Sequence, residues 1–189
     1  MISREDLKEL LRPAGSALIA WDVHRALYNN VFNKEEFMRG LQSSIDAARK
    51  AGVPVIFTRI TPYPPGFEPP ASRLIRWRGS FRPEDMELVV KPLENEIVIN
   101  KNTWSLFVGT NVELMLRNAN RTTLVFTGIA TDVGVETSAR HAYALGFIPV
   151  IVRDAVSSAD REAHERSLAN LSRFFPTLSS SELAEFWGV

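Results

Sequence analysis

The sequence predicts an α/β fold: a three-layer αβα sandwich around an open, doubly wound sheet of about six mostly parallel strands. Three observations predict it. Short apolar runs alternate with amphipathic segments from one end of the chain to the other, as parallel strands joined by crossover helices require. Several of the runs are apolar on both faces, the signature of strands covered on both sides of a sheet. The 189 residues suit a single domain over 1–189, and a domain of that size buries roughly 70% of the surface its unfolded chain exposes.

The elements follow in order. Residues 17–21 are short and wholly apolar, a buried strand that ends at Asp22. Asn33 with Glu36 three residues on is a capping-box pattern, and Phe37, Leu41, Ile45 and Ala48 mark the buried stripe of the helix it opens, which Gly52 ends. Residues 53–58 form the second strand, with Pro54 near its start, where a missing N–H costs the ladder least. From 61 to about 92 the periodicity fails: five prolines fall between Pro62 and Pro70, and Arg73, Arg76, Trp77, Arg78 and Phe81 crowd together. An excursion of this length serves as a functional lid, a subunit contact or a packed surface loop.

Residues 96–100 are the third strand, running into Lys101, and Val112, Met115 and Leu116 mark a helix face that ends by 118–121. Residues 122–127 are the fourth strand. Beyond the turn that follows, Val135, Ser138, Ala139, Ala142 and Leu145 form a helical stripe closed by Gly146. Residues 147–152 are the fifth strand. The last third holds a helix near 161–174, a short apolar step at 175–178 and a terminal helix begun by the serines at 179–181.

Composition narrows the function. Hydrophobic residues make up 45% and charged residues 23%, a globular balance that excludes disorder, coiled coils and fibres. Lys plus Arg equals Asp plus Glu at 22 each, so no overall field draws nucleic acid or an anionic membrane, and neither partner is expected. Cysteine is absent, which removes disulfides, thiolate-bound zinc and every thiol nucleophile. The start shows no basic stretch before an apolar run, and no window approaches the ~18 apolar residues of a membrane span. A cytoplasmic location is the default expectation.

Ligands of a doubly wound sheet bind at the carboxyl ends of its strands. Three such ends carry polar chemistry: Asp22, Lys101 and the turn at 128–135. Singly, a strand-end aspartate is a turn or cap residue and a lone lysine is solvated. Together they point to a site. The motifs are Leu18-Ile19-Ala20-Trp21-Asp22, then Lys101 running through Trp104 to Gly109-Thr110, then Thr127-Gly128-Ile129-Ala130-Thr131-Asp132-Val133-Gly134-Val135-Glu136, followed by Asp154-Ala155-Val156-Ser157-Ser158 and His164. In this order and spacing they resemble the isochorismatase-like hydrolase superfamily across nearly the whole chain.

The resemblance carries its own expectations. In amidohydrolase members the aspartate and lysine activate a cysteine after the fourth strand, and that position here is Gly134. Covalent thioester chemistry by the family route is therefore ruled out. Isochorismatases proper resemble this chain in lacking that cysteine; in them the aspartate protonates a vinyl ether carbon, the lysine positions or polarises the substrate, and water captures the oxocarbenium ion with release of pyruvate. By resemblance, Asp22 is the general acid or base, Lys101 its charged neighbour and Gly134 the floor of the pocket. Trp21, His24, Trp104, Ile129, Ala130 and Thr131 are expected to bind substrate. A cis peptide at Ile129–Ala130 is implied, and a helix starting near Val133 adds its positive end. The substrate is a small molecule, and a homodimer or homotetramer is expected.

No cofactor and no metal is expected. The histidines are His24, His141 and His164, and the aspartate and two histidines that metal-dependent members carry after the second strand have no counterpart in 61–81. Relatives commonly continue the first motif as Asp-x-Gln, where this chain has Asp22-Val23-His24; His24 either lines the pocket or bonds a loop carbonyl. Arg59, Arg73, Arg76 and Arg78 are cations for a diacid or pair with acids at a subunit contact. Trp77, Phe81 and Trp104 are pocket walls or packing residues. A neighbouring lysine lowers a carboxyl pKa while burial beside Trp21 and Ile129 raises it, and the sequence leaves that balance open. The alternative, from a different class, is a catalytically silent member that keeps Asp22 and Lys101 as a structural ion pair and binds a metabolite or a protein.

Overall fold

The computed structural model describes residues 3–73 and 82–189. Six strands, β1 (Ser16–Trp21), β2 (Val55–Ile60), β3 (Ile97–Lys101), β4 (Thr123–Ile129), β5 (Ile148–Ser157) and β6 (Thr177–Leu178), form one sheet. Their order is β3-β2-β1-β4-β5-β6, and every pairing is parallel. The chain first builds outward from β1 to β3 and then crosses back to add β4 on the other side of β1. The point of reversal lies between β1 and β4, where open α/β sheets bind their ligands.

The helices are α1 (Arg4–Leu10), the single turn α2 (Arg25–Tyr28), α3 (Lys34–Lys50), α4 (Val112–Asn118), α5 (Glu136–Ala144), α6 (Arg161–Leu171) and α7 (Ser180–Trp187). Successive strand residues point to opposite faces, and β1 divides accordingly. Leu18 and Ala20 join Phe37, Leu41 and Ile45 of α3 and Leu183 and Trp187 of α7 in one core. Ala17, Ile19 and Trp21 join Val112 and Leu116 of α4 and Ala139 and Ala142 of α5 in the other. The sheet is therefore covered on both faces, as its apolar runs require. Among the described residues, no helix is long and apolar enough to cross a membrane.

Several boundaries differ from the sequence reading. β2 starts at Val55 because Val53 N–H still closes the end of α3 on Ala48 O at 2.8 Å. β5 runs on to Ser157, since after an irregularity its second half pairs again with β4, Gly128 against Val156 and Ile129 against Ser157. α3 begins after Asn33, but the asparagine makes no side-chain cap: its Oδ1 accepts the Ser157 hydroxyl at 2.5 Å. The helix expected near Val133 starts as one π-helical turn, Thr131–Val135, before α5. α6 stops at Leu171. α1, absent from the sequence reading, is capped by a Ser3–Asp6 box and buries no residue. In the long excursion, Pro70–Arg73 and Pro83–Met86 are 3₁₀ turns. Arg76, Trp77, Arg78 and Phe81, and the side chain of Arg73, lie outside the described residues.

Candidate active site

Asp22 follows β1 with φ +42°, a left-handed conformation that aspartate tolerates better than most residues. Its N–H donates to Thr58 Oγ1 at 2.9 Å, and the same hydroxyl donates back to Asp22 Oδ1 at 2.6 Å. Lys101, the last residue of β3, donates from Nζ to Asp22 Oδ2 at 2.6 Å and to Thr103 O at 3.1 Å. The two residues are 4% and 2% exposed. Nζ also stands 4.0 Å from the centroid of the Trp21 ring, a cation–π contact. Burial holds the Lys101 pKa below its ordinary value, opposed by the charge and hydrogen bond of Asp22. Each carboxyl oxygen of Asp22 thus has a donor from a different strand.

The end of β4 supplies the backbone beside this pair. Gly128 has φ +111°, and a Cβ there would overlap the N and O atoms of Trp21. The Ile129–Ala130 peptide is cis. At Gly134 a Cβ would overlap Nε1, Cε2 and Cζ2 of the Trp21 indole. Where the sequence reading leaves room for a pocket floor, the space directly over Gly134 is filled by that indole, and Trp21 is 1% exposed. One tryptophan therefore turns its face to Lys101 and its nitrogen-bearing edge to Gly134.

His24 is fully used. Its Nε2 accepts Ile60 N–H at 3.1 Å, so Nδ1 carries the proton and donates to Met86 O at 2.9 Å. The neutral tautomer agrees with burial, which lowers its pKa; Asp22, with Oδ1 at 3.9 Å, opposes that. Of the two roles left open for His24, the structure has the bond to a loop carbonyl. Thr131 pairs through Oγ1 with His164 Nδ1 at 2.8 Å, donates its N–H to Ser158 Oγ at 3.0 Å and accepts Ser167 Oγ at 3.2 Å. Ile129 packs in the α3-side core with Ala130 against it. Trp104 is 51% exposed, with its carbonyl accepting the Ser138 hydroxyl. Arg59 donates to Asn100 Oδ1.

The structure thus brings Asp22, Lys101, Trp21 and Gly134 together and gives the polar atoms of His24 and Thr131 to the protein itself. Sequence reasoning missed Thr58 and Thr103. A signal for Thr58 exists: it is a lone hydroxyl closing an otherwise apolar run, with Phe57 in register with Ala20. Among the described residues, no three His, Asp or Glu side chains are placed to hold a metal ion.

The family profile described as Isochorismatase domain matches residues 16–182. The chain belongs to the isochorismatase family. It is 29% identical over 201 residues to the ureidoacrylate amidohydrolase RutB of Pseudomonas savastanoi pv. phaseolicola, covering 90% of this chain and 82% of that one. With the uncharacterized isochorismatase family protein YecD of Escherichia coli O157:H7 it shares 44% identity over 78 residues, 41% of this chain and less than half, 42%, of that relative. A cysteine hydrolase from Pseudomonas syringae pv. phaseolicola 1448A has the same fold, with a TM-score of 0.80 over 93% of each chain at 20% identity.

Two predictions test how this isochorismatase-family site is built. Gly134→Ala should lower the urea midpoint, and the loss should shrink when Trp21→Val is also present, because the two residues compete for one space. Additive losses in the four-member cycle would show that they do not. The second concerns pH. His24 and His164 are both buried, and burial lowers both pKa values below the ordinary 6.5. Their contribution to stability is full above about pH 6.5, where both states are neutral, and is lost as pH falls toward the folded values, because the unfolded chain takes up protons first. Urea midpoints should fall between pH 7.5 and 5, less steeply in His24→Gln.

Proposed function

We propose that this family member is a hydrolase of a small molecule that works without a covalent intermediate, with Asp22 transferring the proton and Lys101 as its charged neighbour. The observation that carries the reading is the 2.6 Å contact between Asp22, at the carboxyl end of β1 beside the reversal point of the sheet, and Lys101 at the carboxyl end of β3. The first substrate class is a vinyl ether of the isochorismate type. The Asp22 carboxyl adds its proton to the terminal enol carbon, the ether carbon becomes an oxocarbenium ion, and water adds to it. The resulting hemiketal collapses to pyruvate and a ring alcohol, and the proton shed by water returns to Asp22. Once the proton has left, Lys101 stabilises the carboxylate, and the Thr58 hydroxyl on Oδ1 fixes the carboxyl plane. No step uses a cofactor.

The indole over Gly134 favours a second reading, in which the family's reaction space is closed, Asp22 and Lys101 are a structural pair, and the protein binds a metabolite or a protein without turnover. Pyruvate release from isochorismate separates the two. A general acid contributes typically 10²–10⁴-fold, so Asp22→Asn should reduce kcat by at least about 10²-fold, and Lys101→Met should reduce it as well. Wild-type turnover left unchanged by Asp22→Asn sinks the catalytic role. Nicotinamide and carbamoylsarcosine should go unturned, since residue 134 offers no nucleophile.

A further inference from the structure

The parallel ladder between β2 and β3 has its last pair at Ile60 and Lys101. Beyond it the main-chain tie continues for one residue, since Pro62 follows Thr61 and a proline has no N–H to give. Thr61 N–H donates to Lys101 O at 2.7 Å, and the Thr61 hydroxyl donates to the same carbonyl at 3.3 Å. From there a side chain takes over. Asn102 Nδ2 donates to Thr61 O at 2.8 Å, to Thr61 Oγ1 at 3.1 Å and to Pro62 O at 3.3 Å. The peptide joining Lys101 to Asn102 is therefore gripped by its carbonyl and by the side chain that follows it, and both grips reach Thr61.

Lys101 has far to reach. β2 lies between β3 and β1, so Lys101 and Asp22 together bridge two strand spacings, roughly 10 Å, before Nζ meets Oδ2 at 2.6 Å. The lysine side chain is a lever, and a small rotation of its backbone becomes a large displacement of the ammonium. The second acceptor of Nζ, Thr103 O at 3.1 Å, lies one residue beyond Asn102. The ammonium and that acceptor thus leave the chain on either side of one gripped residue. We propose that Asn102 is a positioning residue: its amide fixes the course of the chain through 101–103 and so holds Lys101 Nζ between Asp22, Thr103 O and the face of Trp21. It takes no part in the bond changes. The inference rests on the reading of Asp22 and Lys101 as the reacting pair and deepens it, because the end of the excursion that leaves β2 becomes part of what places the proton-transferring groups.

Asn102 is exposed, so replacing it leaves the core intact. Asn102→Asp keeps the shape, removes the donors and sets a carboxylate against two carbonyls, and Asn102→Ala removes the donors without adding charge. Asn100→Asp controls for charge: it lies on the same strand and keeps the acceptor that Arg59 uses. One readout needs no substrate, the NMR resonance of the Lys101 ε-methylene, identified by its absence from Lys101→Arg. With Nζ 4.0 Å from the centroid of the Trp21 ring, that methylene is shielded and resonates upfield of exposed lysines. It should move toward the exposed-lysine position in both Asn102 variants and stay in place in Asn100→Asp. A loss of stability alone does not move a folded-state resonance. With isochorismate, kcat should fall about tenfold in both Asn102 variants at unchanged KM, a smaller loss than the roughly 10²-fold that an ångström of misplacement costs. A Lys101 resonance unmoved in either Asn102 variant, or moved as far by Asn100→Asp, overturns the inference whether or not turnover is seen. So does a moved resonance with kcat unchanged, since the place of the ammonium would then not matter to the reaction. A moved resonance in a protein that does not turn over isochorismate removes the vinyl ether reading and leaves Asn102 holding Lys101. Turnover with an unmoved resonance removes the positioning role and leaves the hydrolase.

Discussion

Two glycines clasp one tryptophan, and the arrangement of charges at the site depends on that clasp. Gly128 lies so close to the backbone of Trp21 that no side chain fits between β1 and β4, and Gly134 lies equally close to the indole edge. A side chain at 128 would push β1 and β4 apart at their carboxyl ends. Asp22 is the next residue along β1 and would move with Trp21. Its reach to Lys101 spans the sheet from β1 to β3, across β2, and hydrogen bonds at 2.6 Å tolerate little displacement. The ring is also the surface on which the ammonium rests, so a shift of the indole alters the environment of both charges.

The pair is an expensive feature. Moving a carboxylate and an ammonium out of water costs several kcal/mol per ion, and apolar replacements of similar shape are often as stable. Here the cost is offset by Thr58 on one carboxyl oxygen, Thr103 O on the ammonium and the Trp21 face beneath it. That Lys101 still has its pKa lowered, with burial as the largest cause, means that these contacts do not fully replace water. A poorly solvated ammonium in turn interacts strongly with the carboxylate beside it, so the state of either charge depends on the other.

Most of the fold was legible because its signal is local. Parallel strands buried on both faces read as apolar runs, and the stripe of α3 is spaced as a helix requires; its residues Phe37, Leu41, Ile45 and Ala48 are all buried. α1 was missed because it buries nothing and so leaves no stripe. The role of Asn33 was misread because a tertiary contact, the Ser157 hydroxyl, outcompetes a local cap. At the site, strand ends pointed to Asp22 and Lys101, but the filling of the space at Gly134 was not seen. Strand parity could have shown it. Ala17, Ile19 and Trp21 share one face, and that face meets Val135 and Ala139, so the largest side chain in β1 had to find room at the start of the helix containing Gly134.

The two described ends of the long excursion belong to the same mechanical unit. It leaves β2 at Thr61, whose N–H donates to Lys101 O at 2.7 Å and whose carbonyl accepts Asn102 Nδ2 at 2.8 Å. It returns where His24 holds Met86 O, Arg25 N–H donates to Glu87 O and Val89 N–H donates to Val23 O, the last two at 2.9 Å. Both ends are thus fastened to residues adjacent to Lys101 and Asp22. A displacement of either end must pass through peptides one or two residues from the charged pair, and the neutral His24 links the two, since one ring nitrogen bonds the returning end while the other bonds Ile60 at the departing one. Protonation of that imidazole would remove the acceptor for Ile60 N–H, so the fastening of the departing end responds to that proton.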